Sequence, residues 1–364
     1  MRVAIIGCGL IGRKRALSLD ENSALVACCD TNAEAAQKFA AEFSCYAFTD
    51  YQSLLRHAKS DIVIVAVVNK FARDIAFGAL ESGNHVLIEK PLGRNTTEAA
   101  EIVDRLQAAP NCRHQVLKVG FNHRFHPAVW KAKEICDGGS IGKILSIRAR
   151  YGHGGRPGME KEWRASKELC GGGELLDQGV HVIDLIRWFA GEINEVYGRV
   201  ETSFWPMEVE DNAFGIVRTE SKVTASFHVS WTNWKNIFSF EVFGTEGYLR
   251  IEGLGGSYGP ETLEFGRRRK EGGVPDIERY EFPVEDVSWK LEWEDFLSAI
   301  EDKRRPVGDG MDGLRANKVI EAVYRSSAEE RVVKIAIGED ATTFALPHHR
   351  GSEREIGPRN GKWE

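Results

Sequence analysis

The chain has 364 residues, of which 42% are hydrophobic and 28% are charged, and its formal net charge is −6. This length predicts two domains with a substantial core, and the composition is that of an ordinary globular protein. The acidic balance argues against nucleic acid or an anionic membrane surface as a partner. No apolar run approaches the ~20 residues that a membrane-spanning helix needs, so no membrane association is expected.

Seven cysteines are spread along the chain without a Cys-x-x-Cys pair. The first predicted strand begins at Arg2, which leaves no room for a signal peptide. We therefore expect reduced thiols and a cytoplasmic location. The His, Cys, Asp and Glu residues lack the spacing of a metal site, so no metal is expected.

The first third of the chain alternates short apolar runs with segments of helical periodicity. This alternation is typical of a doubly wound α/β domain with a parallel sheet, whose ligands bind at the carboxyl ends of the strands. We assign it to residues 1–122. Strands are predicted at 2–6, 24–30, 61–67, 85–88 and 115–121, with helices at 10–19, 33–43, 71–81 and 96–108.

From residue 123 the pattern changes to longer strands joined by short turns, which predicts an α+β domain with a mostly antiparallel sheet over residues 123–337. Residues 338–364 form a polar tail. Strands are predicted at 143–151, 195–204, 212–219, 222–231, 237–243 and 247–252, and helices at 127–136, 174–190, 289–303 and 314–329.

A Gly7-x-Gly9-x-x-Gly12 turn follows the first strand directly, and Asp30 ends the second. In this pattern the first glycine allows a tight turn, the second lets the backbone approach a pyrophosphate, and the third lets the helix pack on the strand. The pyrophosphate then lies at the start of the helix, and the Asp30 carboxylate accepts hydrogen bonds from the ribose hydroxyls. The combination predicts dinucleotide binding, against the alternative of an ordinary glycine-rich turn.

The residues around this turn favour NAD over NADP. Asp30 is followed by Thr31 and not by a basic residue, so a 2′-phosphate would meet a carboxylate. Arg13, Lys14 and Arg15 lie at the start of the first helix and could reach a phosphate. We expect them instead to form a solvated basic face, which leaves NADP the less favoured cofactor.

Two further segments have residues suited to proton transfer. Lys90 follows the strand at 85–88 and precedes Pro91, which turns the chain and makes a cis peptide possible. Asp177 and His181 are four residues apart in a predicted helix and share a face. A carboxylate there would orient the imidazole and favour its charged form. The alternatives are a surface lysine and a buried histidine with a structural role.

Trp163 and Arg164 could offer a flat surface and a forked donor to a cofactor or sugar, or they could cover the seam between the domains. His153 and Arg156 lie in a glycine-rich loop shortly before them. If that loop borders the pocket, Arg156 could bind a carboxylate or phosphate of the substrate. The alternative is a flexible turn with an exposed arginine.

Together these motifs resemble the glucose–fructose oxidoreductase / inositol dehydrogenase (Gfo/Idh/MocA) family over about residues 1–335. The resemblance implies a Rossmann domain followed by a domain with an open sheet, which often forms the interface of a homodimer or homotetramer. It rests on the glycine turn at 7–12, His85–Pro91, Gly120–Phe125, Trp163-Arg164, Gly171–Asp184 and Phe243–Gly247. One departure is that Asn69 lacks the proline and histidine that often accompany it.

The resemblance implies hydride transfer between a nicotinamide and a carbinol carbon of a sugar or cyclitol. In this scheme His181 takes the hydroxyl proton, Asp177 orients His181, and Lys90 holds the reacting oxygen. Cofactor contacts are implied for Gly7, Gly9, Leu10, Ile11, Gly12, Asp30, Thr31, Ala66, Val67, Asn69, Glu89, Lys90, Asn122, Trp163 and Arg164. Substrate contacts are implied for Lys90, Arg124, His153, Arg156, Trp163, Asp177 and His181.

Three functions follow from these features. The first is an NAD-dependent sugar or cyclitol dehydrogenase, and the presence of Lys90, Asp177 and His181 favours it. The second is an NAD-dependent hydrolase or epimerase that oxidises a sugar carbon transiently and releases no net NADH. The third is a non-catalytic dinucleotide sensor, which would tolerate the loss of His181.

Overall fold

The computed structural model describes residues 1–108 and 114–336, and two sheets organise them. The first sheet is parallel throughout, in the order β3-β2-β1-β4-β5-β6. This confirms the predicted doubly wound sheet. Its strands are β1 (Arg2–Ile6), β2 (Ala24–Cys29), β3 (Tyr46–Phe48), β4 (Ile62–Val65), β5 (His85–Ile88) and β6 (Leu117–Val119).

Helices cover both faces of this sheet, which explains why β1 and β4 are almost uniformly apolar and buried. The helices are α1 (Leu10–Leu17), α2 (Ala33–Phe43), α3 (Tyr51–His57), α4 (Asn69–Glu81) and α5 (Thr96–Ala108). The strand order reverses between β1 and β4, and this reversal creates a crevice at the carboxyl ends of the strands. The sequence did not predict β3 and α3, because β3 is a short, mostly exposed edge strand.

The second sheet has nine strands in the order β14-β13-β12-β11-β7-β10-β9-β8-β15. All neighbours pair antiparallel except β7 and β10, which confirms the mostly antiparallel sheet. Its strands are β7 (Ile144–Gly152), β8 (Ile193–Glu201), β9 (Asn212–Thr219), β10 (Thr224–Ser230), β11 (Ile237–Gly244), β12 (Gly247–Glu252), β13 (Thr262–Arg267), β14 (Asp276–Glu281) and β15 (Val333–Lys334).

Six further helices accompany this sheet in the part of the chain described: α6 (Pro127–Asp137), α7 (Lys167–Cys170), α8 (Glu174–Asp177), α9 (Gly179–Ala190), α10 (Ser288–Glu301) and α11 (Gly310–Glu329). Helices α9 and α11 pack on one face of the sheet, and the opposite face is open. None of the helices within the described ranges is long and apolar enough to cross a bilayer. The predicted polar tail, residues 338–364, lies outside the described residues.

The single helix predicted over residues 174–190 is divided into α8 and α9 at Gln178, whose φ and ψ are −102° and −33°. Gly179 begins α9 in a tight place, since a Cβ there would lie 3.1 Å from a methyl of Leu175 and 3.2 Å from one of Val229. The break changes the relation between the residues on either side of it. Asp177 and His181 therefore belong to different helices, α8 and α9.

Helix α10 belongs to the predicted second domain by sequence but packs on the first sheet. Trp293, Phe296 and Ala299 are fully buried in the same apolar cluster as Val3 and Ile5 of β1. This return of the chain ties the two sheets together beside the crevice. The residues just before α10 thereby reach the ligand site described next.

Candidate active site

A cavity of about 1100 Å³ opens at the carboxyl ends of the parallel strands and is closed on its other side by the second sheet and its loops. Its size is adequate for a dinucleotide and a small substrate. The predicted site residues that line it are Gly7, Gly9, Leu10, Ile11, Asp30, Thr31, Ala66, Val67, Asn69, Glu89, Lys90, Asn122, His153, Arg156, Trp163, Arg164, Asp177 and His181.

The glycine turn has the shape that a pyrophosphate requires. Gly7 has a φ of +103°, and a Cβ there would lie 2.1 Å from the carbonyl oxygen of Ala66. A Cβ on Gly12 would lie 1.9 Å from the carbonyl oxygen of Gly7, so this glycine serves close packing and does not line the cavity. A Cβ on Gly9 would meet nothing within 4 Å. No side chain caps the start of α1, so its free N–H groups fit an anionic ligand.

Asp30 stands in the cavity at the end of β2, as predicted. Its two carboxylate oxygens accept hydrogen bonds from the backbone N–H groups of Cys8 at 3.0 Å and Asn32 at 2.9 Å. Asp50 lines the same part of the cavity and was not predicted, because it caps a helix that sequence periodicity did not reveal. Two carboxylates at this end fit ribose hydroxyls and disfavour a 2′-phosphate, which agrees with NAD.

The predicted solvated basic face on α1 is wrong for Arg15. Its guanidinium is fully buried and forms ion pairs of 2.6 Å with Glu89 and 2.5 Å with Glu292 of α10. It also lies under the Trp289 ring, 4.4 Å from the ring centroid. Glu89 does line the cavity, as predicted, but its carboxylate is bound by Arg15. Lys14 reaches the cavity wall.

Lys90 and Asp177 are joined at the centre of the cavity. The Lys90 ammonium donates to the Asp177 carboxylate and to the Asp177 backbone carbonyl, each at 2.7 Å, and the Lys90–Pro91 peptide is cis. Arg164 approaches the other carboxylate oxygen at 3.4 Å. Burial alone would raise the pKa of Asp177, but the cations of Lys90 and Arg164 outweigh it and hold that pKa below its usual range.

His181 forms no hydrogen bond with Asp177 among the described residues; the Asp177 carboxylate is bound by Lys90 instead. The ring instead stacks on His123, with centroids 3.8 Å apart and planes at 21°. Its Nδ1 is buried without a protein hydrogen-bond partner among the described residues. Burial, followed by the charge of Lys90, lowers the pKa of His181 well below 6.5. The imidazole is therefore neutral at neutral pH, contrary to the predicted charged form.

Arg124 does not contact the cavity, and the prediction that it binds substrate is wrong for this structure. The side chain is buried and forms ion pairs with Asp184 at 2.6 Å and Asp312 at 3.1 Å. These pairs join the segment after β6 to α9 and α11. The two carboxylates outweigh burial and raise the guanidinium pKa, so Arg124 is a structural cation.

The side-chain amides of Asn69 and Asn122 line the cavity, but each also holds two parts of the chain together. Asn69 donates to the carbonyl of Cys170 at 2.8 Å, and Asn122 donates to the hydroxyl of Ser288 at 2.9 Å. Their positions fix the walls around the predicted nicotinamide end. Cys170 itself is not part of the cavity wall.

The loop that precedes Trp163 and Arg164 forms the outer rim of the cavity. His153 accepts a hydrogen bond at its Nδ1 from the backbone of Gly155 at 2.9 Å. Arg156 is already paired with the carboxylate of Glu162 at 2.6 and 2.8 Å. Arg156 is therefore at the cavity, as predicted, but its charge is partly neutralised.

Several lining residues were not predicted from the sequence: His123, His126, Tyr151, Met159, Gln178, Leu254, Tyr258, Asp286 and Trp289. Most come from loops and strand ends that only the fold brings together. The sequence did contain a signal for the loop after β12, because Gly253, Gly255 and Gly256 lie close together there. In the structure all three have a positive φ. Such a cluster of glycines indicates a constrained loop of the kind that often borders a site.

Comparison with known families assigns the chain. Residues 1–117 match the model of an oxidoreductase family with an NAD-binding Rossmann fold, and residues 129–250 match that of the GFO/IDH/MocA C-terminal domain. The two matches together cover more than half of the chain. The chain belongs to the Gfo/Idh/MocA oxidoreductase family, and its first domain is that family's NAD-binding domain.

Several curated relatives carry out sugar chemistry. A levoglucosan dehydrogenase of Pseudarthrobacter phenanthrenivorans is 30% identical over 60% of this chain and 61% of its own length. A D-glucoside 3-dehydrogenase of Escherichia coli is 33% identical over 52% and 54%. The chain thus spans less than two thirds of these two relatives. A 1,5-anhydro-D-fructose reductase of Ensifer adhaerens is 27% identical over 93% and 99%.

Solved structures show the same fold. A levoglucosan dehydrogenase in complex with NADH and levoglucosan superimposes with a TM-score of 0.84 at 23% identity, covering 92% of this chain and 99% of that one. The WlbA dehydrogenase of Bordetella pertussis, in complex with NADH and UDP-GlcNAcA, has a TM-score of 0.78 at 21% identity over 93% and 99%.

Proposed function

We propose that this protein is an NAD-dependent dehydrogenase that oxidises a secondary hydroxyl of an uncharged sugar or cyclitol, or reduces the corresponding ketone. The observation that carries the proposal is the meeting of Lys90, Asp177 and the neutral imidazole of His181 in a cavity that begins at the glycine turn. NAD⁺ supplies the hydride acceptor when it is bound along this cavity. The chain's own residues supply the proton chemistry.

In oxidation, His181 accepts the hydroxyl proton while the carbinol C–H leaves as a hydride and the carbon becomes a carbonyl. A base with a lowered pKa is unprotonated and ready at neutral pH. In reduction the same imidazole returns the proton to the oxygen. General acid–base catalysis by such a group is typically worth about 10²–10⁴ in rate.

Lys90 stabilises the negative charge that develops on the reacting oxygen. An ammonium group has three donors, and Asp177 accepts from two directions, so one donor remains for substrate. A cation fixed in this way is a preorganised electrostatic stabiliser. Asp177 keeps Lys90 in place, and its low pKa means that it stays ionised while it does so.

The charges at the rim support an uncharged substrate. Arg156 is paired with Glu162, and Arg164 lies near both Asp177 and Glu162. A carboxylate or phosphate on the substrate would have to compete with these acids for each guanidinium. Levoglucosan, glucosides and inositols, which the names of the relatives specify, carry no charge.

The proposal is tested by following NADH absorbance with purified protein, NAD⁺ and matched sets of substrates: neutral sugars and cyclitols, their carboxylic acids and their phosphates. His181→Ala is expected to lower kcat by about 10²–10⁴ with little change in the dissociation constant of NADH. His57→Ala, at an exposed position on α3, serves as the matched control and should retain activity.

Each result decides between the candidate functions. NADH formation with neutral substrates that is lost in His181→Ala supports the proposal, and a preference for the acids or phosphates contradicts the uncharged substrate. No net NADH, with NAD found bound to the purified protein, replaces it with transient oxidation during hydrolysis or epimerisation. Absence of any NAD affinity would overturn dehydrogenase, hydrolase and sensor together.

We also propose that the open face of the second sheet joins two copies of the chain. Tyr197 on β8 and Phe214 and Ile216 on β9 are 48%, 44% and 53% exposed on that face. Large apolar side chains grouped on a sheet surface are typical of an interface, and a homodimer through one such face is the simplest closed assembly.

A further inference from the structure

His123 lies directly against the proposed base and has no role in the scheme above. Its ring is 5% exposed and stacks on His181. Its other sides meet the edges of His126, Tyr151 and Phe238, with centroid distances of 5.5, 5.0 and 5.8 Å. The stacking contact and the three edge contacts together hold the imidazole of His123 in one orientation.

A chain of hydrogen bonds also sets the tautomer of His123. Asp286 accepts from the hydroxyl of Ser288 at 2.5 Å, and that hydroxyl accepts from the Asn122 amide nitrogen at 2.9 Å. The Asn122 carbonyl oxygen therefore faces His123 Nδ1 at 3.2 Å. Since that oxygen only accepts, Nδ1 must carry the proton. The Nδ1 proton of His123 is thus fixed from the start of α10, and burial lowers the pKa of His123 well below 6.5, which favours the neutral ring.

We propose that His123 is the positioning residue of the active site: its locked ring, stacked on His181, holds the base in plane and excludes water from its inner face. This inference rests on the proposed function for the role of His181. It gives to His123 the orienting task that the sequence pattern suggested for Asp177. The Asn122–Ser288–Asp286 chain then acts on the base through His123.

The surroundings of His181 explain why such a neutral neighbour is useful. Five titratable groups from four other parts of the fold face the ring: Lys90, Arg15, His123, His126 and Tyr151. Four of them are cationic or can become cationic, and Tyr151 is a phenol. Lys90 and Arg15 oppose an imidazolium, and burial opposes it further. A charged partner at position 123 would add to this repulsion. A neutral flat ring fills the space and leaves His181 able to accept a proton during turnover.

The pKa of His181 can be followed by NMR titration of the imidazole in the protein without cofactor, so this test does not depend on activity. His123→Ala opens the inner face to water and should raise the pKa of His181 toward its ordinary value. His123→Phe keeps a flat ring and should leave it low. His228→Ala removes another stacked imidazole, 4.1 Å from the Phe214 ring on the open sheet face, and should not move the His181 titration.

In turnover, His123→Ala should lower kcat by about 10²-fold, the scale of a misplaced catalytic group, and shift the acid limb of kcat/KM to higher pH. The NADH dissociation constant should stay unchanged. His123→Phe should keep most of kcat, and the acid limb of its kcat/KM profile should stay at the wild-type pH. If His123→Ala does not fold, Asn122→Ala removes the bond that fixes the ring and should lower kcat without moving the limb.

Two results would overturn the inference: an unchanged His181 titration in His123→Ala, or a His123→Phe variant as impaired as His123→Ala while both are folded and bind NADH. A wild-type protein without dehydrogenase activity would instead refute the proposed function. The NMR arm would still report whether His123 controls the state of His181.

Discussion

Lys90 influences both charges that change during the proposed reaction. Its ammonium opposes a proton on His181 and stabilises negative charge on the substrate oxygen. Its anchoring by Asp177 through a carboxylate and a backbone carbonyl fixes the cation at the turn after β5. The position and chemistry of one residue therefore act, together with burial, on the protonation of the neighbouring base.

Lys90→Met should lower kcat by about 10²–10³, as the loss of one oxyanion-stabilising donor does. It should also move the acid limb of kcat/KM to higher pH, because removal of the cation raises the pKa of His181 toward its ordinary value. A pH profile of kcat/KM measures both effects. Lys38→Met, at an exposed position on α2, is the control, and a limb that stays in place in Lys90→Met would contradict the electrostatic link.

The sequence alone predicted which residues reach the cavity better than it predicted their partners. Lys90, Asp177 and His181 all line it. The predicted surroundings of a residue were wrong where its partner lies in a distant segment of the chain. Arg15, for example, pairs with Glu292, which is 277 residues away. Charge patterns within one helix carry no information about such contacts, which only the return of α10 to the first sheet creates.

At the level of elements, most apolar strands and helices of clear periodicity were predicted, whereas the buried strand β13 and the short or exposed elements β3, β14 and α3 were missed. The strand β14 has exposed and half-exposed residues throughout, because it is the edge of a sheet with no apolar face to bury. The helix over 174–190 was predicted as continuous because its apolar spacing continues through Gln178. The break at Gln178 is a backbone feature, and periodicity of the apolar residues does not reveal it.

The ion pairs of Arg15 join three elements, α1, β5 and α10, in a fully buried position. Removing one partner of such a group leaves uncompensated carboxylates in the interior. Arg15→Met should therefore lower the free energy of unfolding by about 3–5 kcal/mol, measured by urea denaturation.

Arg13→Met on the same helix is the matched control, because Arg13 pairs with Glu42 in an exposed position and should change the unfolding free energy little. Equal destabilisation of the two variants would contradict the assignment of the buried pair as the link between α1, β5 and α10.

For the whole molecule, Glu174 makes stability depend on pH. Its side chain is completely buried and neither carboxylate oxygen has a protein hydrogen-bond partner among the described residues. Burial, with Asp177 nearby, raises its pKa well above the usual range. The folded state binds this proton more tightly than the unfolded state does. The protonated Glu174 therefore contributes to the free energy of unfolding below the unfolded pKa of about 4.3. This contribution is lost progressively as the pH rises from there through the folded-state pKa.

Glu174→Gln keeps the shape without the ionisable group, so it should raise Tm at pH 7 to 8 relative to wild type and have little effect near pH 4. Thermal unfolding across this pH range measures the difference. Glu21→Gln, in an exposed loop, should show no such trend. A Tm difference for Glu174→Gln that does not grow with pH would show that Glu174 is not held protonated.

The open sheet face determines how the whole molecule assembles. Ile216 lies between Tyr197 of β8 and Ser226 of β10 in the register of the sheet, near the middle of the exposed apolar group. A carboxylate placed there would have to be buried against a second copy without a partner. Ile216→Asp should therefore convert the proposed homodimer to monomers without loss of fold, which light scattering and circular dichroism can establish together.

Val274→Asp is the matched control, since Val274 is 72% exposed in the turn between β13 and β14, away from this group. It should leave the mass of the assembly unchanged. A wild-type protein that is monomeric at all concentrations, or an Ile216→Asp variant that keeps its wild-type mass, would contradict the proposal. Because the active-site cavity is formed within one chain, the monomeric variant should still bind NADH, so assembly and cofactor binding are expected to be separable.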